Sequence, residues 1–319
     1  MEVPVEASAF APGHVTGIFR PAAGGRDPRS VGSIGAGVVL SLGAHASVRW
    51  LTTAPRRVRV VGDGFAPLPI TEDAVRRLVA GHPGRFEVRL HHELPIGQGF
   101  GMSAAGTLAA SLAVAHLVGA TRARAVEIAH LAELFGGGGL GGVAAILGGG
   151  LEVRDRPGIP PFGRVRHLGA PGSIWLGVVG PPTPSPALLR DPAFRRRVER
   201  SARLLDPLLA SPSFARFFRA SERFADALGF GSAGLRATLR GLRSRGAWAA
   251  PAMFGESFFA VAREATARER MATWLRARGI PAIEVRPART GARRTRSATG
   301  PSLRRVRKDF RGGRARRRP

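Results

Sequence analysis

Pro95-Ile96-Gly97-Gln98-Gly99-Phe100-Gly101-Met102-Ser103-Ala104-Ala105 sits between the pattern of a strand and the pattern of a helix. Upstream, Phe86-Glu87-Val88-Arg89-Leu90 alternates with period two, as a half-buried strand does. Downstream, 103–117 is rich in Ala and Leu and free of Pro, which predicts a buried helix ended by Gly119. Three glycines at alternate positions let backbone amides close around phosphate oxygens with no side chain in the way. The helix that starts here adds unpaired N–H groups and its positive dipole end. Ser103 offers a hydroxyl at the same end, suited to phosphate or Mg2+. Two plainer readings compete. One is a glycine-rich turn in a glycine-rich chain. The other is a dinucleotide loop, which wants an acid about 20 residues on; Glu127 and Glu133 lie further along and on a helix pattern.

Outward from the loop, Val58-Arg59-Val60-Val61 reads as a strand, turned at Gly62-Asp63-Gly64. Thr71 is placed to cap a helix running to about Ala80, with Glu72 and Asp73 near its positive end. A further helix starts at Thr121, and the glycine-dense 136–150 is not expected to be regular throughout. The second half opens with the apolar strand Ile174-Trp175-Leu176-Gly177-Val178-Val179. Helix patterns follow at about 187–209, 213–228, 232–244 and 264–278. Strands are predicted at 248–253, 257–262 and 283–285, with Phe254-Gly255-Glu256 as a tight turn. Strands with returning helices predict an α+β fold. The expected division is 1–165, 166–290 and a basic, disordered tail, 291–319.

Composition narrows the chemistry. There is no cysteine, which excludes disulfides, thiolate nucleophiles and thiolate metal sites. Lys308 is the only lysine, so a Walker A lysine or a strand lysine on phosphates is excluded from the body of the chain. A nucleotide site must use backbone amides, arginines and a metal. The net charge of +27 is uneven: thirteen basic residues against one acid between Arg289 and Pro319 carry +12, leaving +15 on the first 288. That remainder suits anionic substrates. The first residues lack a signal-peptide pattern, and no apolar run approaches a membrane span, so a cytoplasmic protein without a membrane partner is expected.

The pattern Pro-x-Gly-x-Gly-x-Gly-x-Ser-x-Ala, between a strand and an alanine-rich helix, resembles the phosphate loop of the GHMP kinases. Two more segments fall in family order. Ala11-Pro12-Gly13-His14-Val15-Thr16-Gly17-Ile18-Phe19 resembles the first motif, in a form similar to archaeal pantoate kinases. Ala252-Met253-Phe254-Gly255-Glu256-Ser257-Phe258-Phe259-Ala260 resembles the third, a glycine turn that approaches the nucleotide. The segments at 32–37 and 139–143 are also similar to pantoate kinases, and the likeness spans about residues 6–290.

The resemblance implies a two-domain GHMP kinase fold, with a ribosomal protein S5 domain 2-like N-terminal domain and a ferredoxin-like C-terminal domain. It implies ATP in the cleft, with Pro95, Gly97, Gln98, Gly99, Phe100, Gly101, Met102, Ser103, Ala104 and Ala105 around the phosphates. Ser103 and Glu133 match the Mg2+ site, and a carboxylate is a hard ligand suited to it. His14 and Thr16 would meet the acceptor, and Phe254, Gly255 and Glu256 would lie near the nucleotide. The activity implied is phosphorylation of pantoate to 4-phosphopantoate for coenzyme A synthesis. One departure stands out: pantoate kinases have Asp where this chain has Gly142, the position of the catalytic base in several GHMP kinases. Four further readings therefore stay open: a kinase for homoserine, mevalonate or another small alcohol; a weakened paralogue; nucleic-acid binding through the arginine-rich tail; and, for assembly, a homodimer.

Overall fold

The computed structural model describes residues 5–63, 67–170, 172–182, 191–262 and 264–295. Two long strands, β1 (Val5–Ala23) and β2 (Val31–Leu51), form an antiparallel hairpin whose register shifts twice, between Pro12 and His14 and between Thr16 and Ile18. Those irregularities fall inside the first motif. No strand before Val58 is legible from periodicity, because β1 and β2 are rich in Gly and Ala and buried along much of both faces. Strands covered on both faces lose the period-two signal.

On the far side of β2 two different strands pair with its two halves. Its C-terminal half takes β4 (Arg85–His92), which lies parallel to β3 (Arg57–Gly62). Its N-terminal half, from Gly35 to Val38, takes β5 (Leu151–Arg156), which pairs in turn with β6 (Arg164–Leu168). Three helices complete this part: α1 (Pro69–Leu78), α2 (Met102–Leu117) and α3 (Arg122–Gly136). α2 is buried nearly all round, since it packs against the hairpin on one side and α1 and α3 on the other. A single turn, α4 (Gly142–Ala145), is the regular element within 136–150.

Strand β7 (Ile174–Val178) opens a second sheet with β8 (Ala247–Pro251), β9 (Ser257–Ala262) and β10 (Ala282–Val285). Its order is β10-β7-β9-β8, all antiparallel, the order of a ferredoxin-like sheet. Helices α5 (Pro192–Ser201), α6 (Asp206–Ala210), α7 (Phe214–Leu228) and α8 (Ala233–Arg243) come between β7 and β8, and α9 (Ala265–Ala277) between β9 and β10. Adjacent residues Phe258 and Phe259 point to opposite faces. Phe258 packs with Leu235, Leu239 and Met271, while Phe259 joins Phe217 and Phe218 in the core shared with the first sheet. That shared core fixes the two sheets around the glycine loop.

Several expectations need correction. Thr71 does not cap α1; it lies inside the helix, whose start is set two residues earlier by Pro69. Its hydroxyl meets that of Thr107 at 3.0 Å instead. The division at 165 cuts through β6, which belongs to the first sheet, so the crossover falls between Leu168 and Ile174. The tail does not begin at 291: Ala292 is buried, and β11 (Arg293–Thr295) pairs with β1. The expected helix at 187–209 is broken by a 3-10 turn at Ala202–Leu205. Gly64, residues 187–190 and the tail beyond Thr295 lie outside the described residues. Among the described residues no helix is long and apolar enough to cross a membrane.

Candidate active site

Gly97, Gly99 and Gly101 all have positive φ, 70 to 78°, so the alternate glycines turn the chain in a way other residues resist. The loop delivers the chain into α2 with Gly101 as N-cap and no side-chain cap. The first amides of α2 are thus left to whatever occupies the space in front of them. That space is a cavity of about 300 Å³. Of the loop residues, Ile96, Gly97, Gly99, Phe100, Gly101, Met102, Ser103 and Ala104 line it.

Pro95, Gln98 and Ala105 are not in its wall. Gln98 anchors the loop from behind: its Nε2 donates to the Gly180 carbonyl at 3.0 Å, and its own carbonyl accepts from Ser257 Oγ at 2.5 Å. A side chain at Gly101 would meet the backbone of His14 at 3.0 Å, so this glycine lets the first motif lie against the loop. The same contact is sealed by His14 N–H donating to the Phe100 carbonyl at 3.0 Å.

The cavity brings together Ser103 and Glu133, as expected. Ser103 Oγ donates to Glu133 Oε1 at 2.6 Å, and Thr107 Oγ1 donates to the same oxygen at 3.2 Å. Burial pushes the Glu133 carboxyl up to about 7, against the pull of those two hydroxyls. Among the described residues no cluster of three or more His, Cys, Asp or Glu could hold a metal. One carboxylate and one hydroxyl at the mouth of a phosphate loop nonetheless fit Mg2+, which takes few protein ligands and fills its shell with phosphate oxygens and water.

The raised value makes a stability prediction. Between the ordinary 4.5 and about 7 the folded protein holds a proton that the unfolded chain has released. Stability is therefore fully present below that window and lost as pH rises through it, by about 3 kcal/mol. Urea denaturation of the protein without metal or nucleotide should show this fall from pH 5 to pH 8, and Glu133→Gln should remove it. Identical profiles for the two proteins would contradict the assignment.

His14 and Thr16 are in the wall, but His14 is not a free cation. It is buried, with Nε2 2.8 Å from Glu152 Oε1 and Nδ1 3.4 Å from Thr16 Oγ1. Burial holds its imidazole below the ordinary value in spite of Glu152. With Glu152 ionised, Nε2 carries the proton and Nδ1 accepts from Thr16. Both ring nitrogens of His14 are thus already engaged within the protein, and a second, deeper charge lies behind it. Arg154 NH1 also donates to Glu152 Oε1, and Arg154 lines the cavity beside Ser33. Burial opposes the charge on Glu152, yet Arg154 and His14 together hold its carboxyl below the ordinary range.

Sequence reasoning missed Glu152, Arg154 and Ser33. Space for them comes from Gly35 and Gly37 on β2. Gly35 pairs with Arg154, and a side chain there would come within 2.9 Å of the guanidinium. Gly37 pairs with Glu152 and leaves room for the His14 ring. The usable signal was two opposite charges two apart in Leu151-Glu152-Val153-Arg154, an otherwise apolar strand.

The third motif is only partly in the site. Phe254 lines the cavity; Gly255 packs against the backbone of Gln98 and Gly99; Glu256 turns away. The Glu256 carboxylate accepts from the Ser232 amide at 3.0 and 3.2 Å, ahead of α8. Gly255 thus supports the loop from behind, and Glu256 ties the turn to the start of α8.

Residues 70–150 match the GHMP kinases N terminal domain. A solved structure described as a phosphotransferase related to the CoA biosynthesis pathway superposes with a TM-score of 0.83 at 29% identity, over 92% of this chain and all of that one. The chain has the GHMP kinase fold, and its residues 70–150 carry the N-terminal domain of that family. The pantoate kinase of Thermococcus kodakarensis is 38% identical over 167 residues, half of this chain and 55% of that protein. The pantoate kinase of Methanocaldococcus jannaschii is 24% identical over 265 residues, 81% of this chain and 93% of that protein. The matched stretch spans a little over half the length of the first of these relatives.

Proposed function

We propose that this GHMP-fold chain transfers the terminal phosphoryl group of ATP to the primary hydroxyl of pantoate, giving 4-phosphopantoate for coenzyme A synthesis. The observation that carries this reading is one cavity with an uncapped helix start on one side and a buried arginine, Arg154, on the other. The amides of Met102, Ser103 and Ala104 suit the phosphates. Arg154, which lines the cavity with one guanidinium nitrogen held by Glu152, suits an acceptor carboxylate. Ser103 and Glu133 would hold Mg2+, which when bound neutralises charge developing on the phosphates. Likeness to proteins named pantoate kinase supports the same acceptor.

Glycine at 142 supplies no base, so the hydroxyl must be placed rather than deprotonated by a carboxylate from that position. Phosphoryl transfer tolerates this, because its loose transition state depends mostly on positioning and charge stabilisation. A weakened paralogue is the second reading, favoured by that same glycine. ADP release with MgATP and pantoate, homoserine, mevalonate or galactose tests both. Pantoate should give the highest kcat/KM. Faster turnover of another acceptor would overturn the substrate, and ATP binding without turnover of any would favour the weakened paralogue.

A further inference from the structure

Phe254 is the single non-glycine residue with positive φ among the described residues, at 69°. A bulky side chain in that region is disfavoured and persists only where its surroundings fix it, most often at functional sites. Here the turn is tied on both sides: Met253 N–H donates to the Thr16 carbonyl at 3.1 Å, and Gly255 N–H to the Ala252 carbonyl at 3.2 Å. The ring lies 5.2 Å from that of Phe19 and 6.5 Å from that of Phe194, and Phe19 in turn meets Phe224 edge-on at 5.8 Å. Phe19 and Phe254 both line the cavity, whereas Phe194 and Phe224 back them in the core.

The position of this aromatic wall relative to the charges is set by register. Phe19 pairs with Gly35, and Gly35 pairs with Arg154, so the three form one row across β1, β2 and β5. Directly paired residues share a sheet face. The guanidinium lies over Gly35, next to Phe19, with the ring of Phe254 tilted against that of Phe19. A small molecule whose carboxylate meets Arg154 therefore puts its next carbons against two phenyl rings. A hydroxyl or ammonium group turned toward the rings would lose hydration there without a partner. Methyl groups would not.

We propose that Phe254, backed by Phe19, is the specificity-determining wall of the acceptor site, shaped for a short hydroxy acid with a fully substituted, methyl-bearing carbon near its carboxylate. This rests on the reading of the cavity as the acceptor site of a pantoate-type kinase. The left-handed turn aims the ring, and the phosphate side of the cavity is built from other residues.

The test compares pantoate with 2,4-dihydroxybutanoate, which has the same carboxylate and hydroxyls but lacks both methyl groups. A missing methyl in an apolar pocket is worth about 10–200-fold in kcat/KM. The wild-type protein should favour pantoate by at least the lower figure. Phe254→Gly, which accepts the positive φ, should bring the two acceptors to within about threefold, with KM for ATP little changed. Phe254→Leu should retain an intermediate preference. Should the glycine variant fail to fold, Phe254→Ala, which meets the same backbone conformation as Phe254, reads the same ratio. An undiminished preference in these variants, or a loss confined to ATP affinity, overturns the wall. Equal use of both acceptors by the wild type also overturns it, while the kinase reading stands. No turnover of either by the wild type, with turnover of homoserine or mevalonate, overturns the pantoate reading on which the wall rests.

Discussion

Glu152→Ala should destabilise the protein by about 3–5 kcal/mol, because it leaves Arg154 buried without its counter-charge. Glu152 is wholly buried and Arg154 nearly so. Both the guanidinium and His14 Nε2 donate to the same carboxylate oxygen, so one deletion strips two donors of their acceptor. Urea denaturation at pH 7 measures the loss. The double variant Glu152→Leu/Arg154→Met should recover most of it, since replacing a whole buried pair with apolar residues is often neutral or better. If Arg154 binds the acceptor, the double variant should nonetheless fail in pantoate turnover, with ATP binding retained. Recovery of stability without activity separates the two tasks of the pair. A loss under about 1 kcal/mol in Glu152→Ala would show that water reaches these charges.

The contrast between that network and the glycine loop shows what a sequence exposes. Loop, flanking strand and α2 are local: period two, alternate glycines and an alanine run each name their element, and β4 and α2 lie where they predict. Ser103 and Glu133 meet because each stands at an end of a legible helix, α2 and α3. The His14–Glu152–Arg154 network is not local. It exists because β5 pairs with the N-terminal half of β2 at a register that puts Gly35 and Gly37 opposite two charges. Register between strands more than 100 residues apart leaves no trace in periodicity. Nor does the acidic character of Glu256 name its partner, the Ser232 amide ahead of α8. Likewise, the positive φ of Phe254 comes from tertiary contacts, since the residue type argues against it.

Gly142→Asp combined with Ala104→Gly should raise kcat with pantoate by about 10²–10⁴-fold, the usual contribution of a positioned base. Pantoate kinases carry Asp at this point, and Gly142 lines the cavity with Ser103 and Arg154. Its φ lies outside the left-handed region, so the backbone accepts an aspartate. Space is the obstacle. A Cβ on Gly142 would sit 2.8 Å from Cβ of Ala104, closer than real Cβ atoms approach. Ala104 is on the first turn of α2, next to Ser103, and cannot yield without moving the first amides of that helix. Gly142→Asp alone should therefore gain little and lose ATP affinity as the helix start is displaced. Ala104→Gly alone should cost about 1 kcal/mol of stability, from helix propensity, with no gain in rate. Only the pair opens room for the carboxylate without pushing on α2. Four proteins, each measured for stability, ATP affinity and single-turnover rate, separate these effects. A double variant that folds and binds ATP yet gains nothing would show that transfer here runs without a base, with Arg154 and the helix start carrying the reaction by placement.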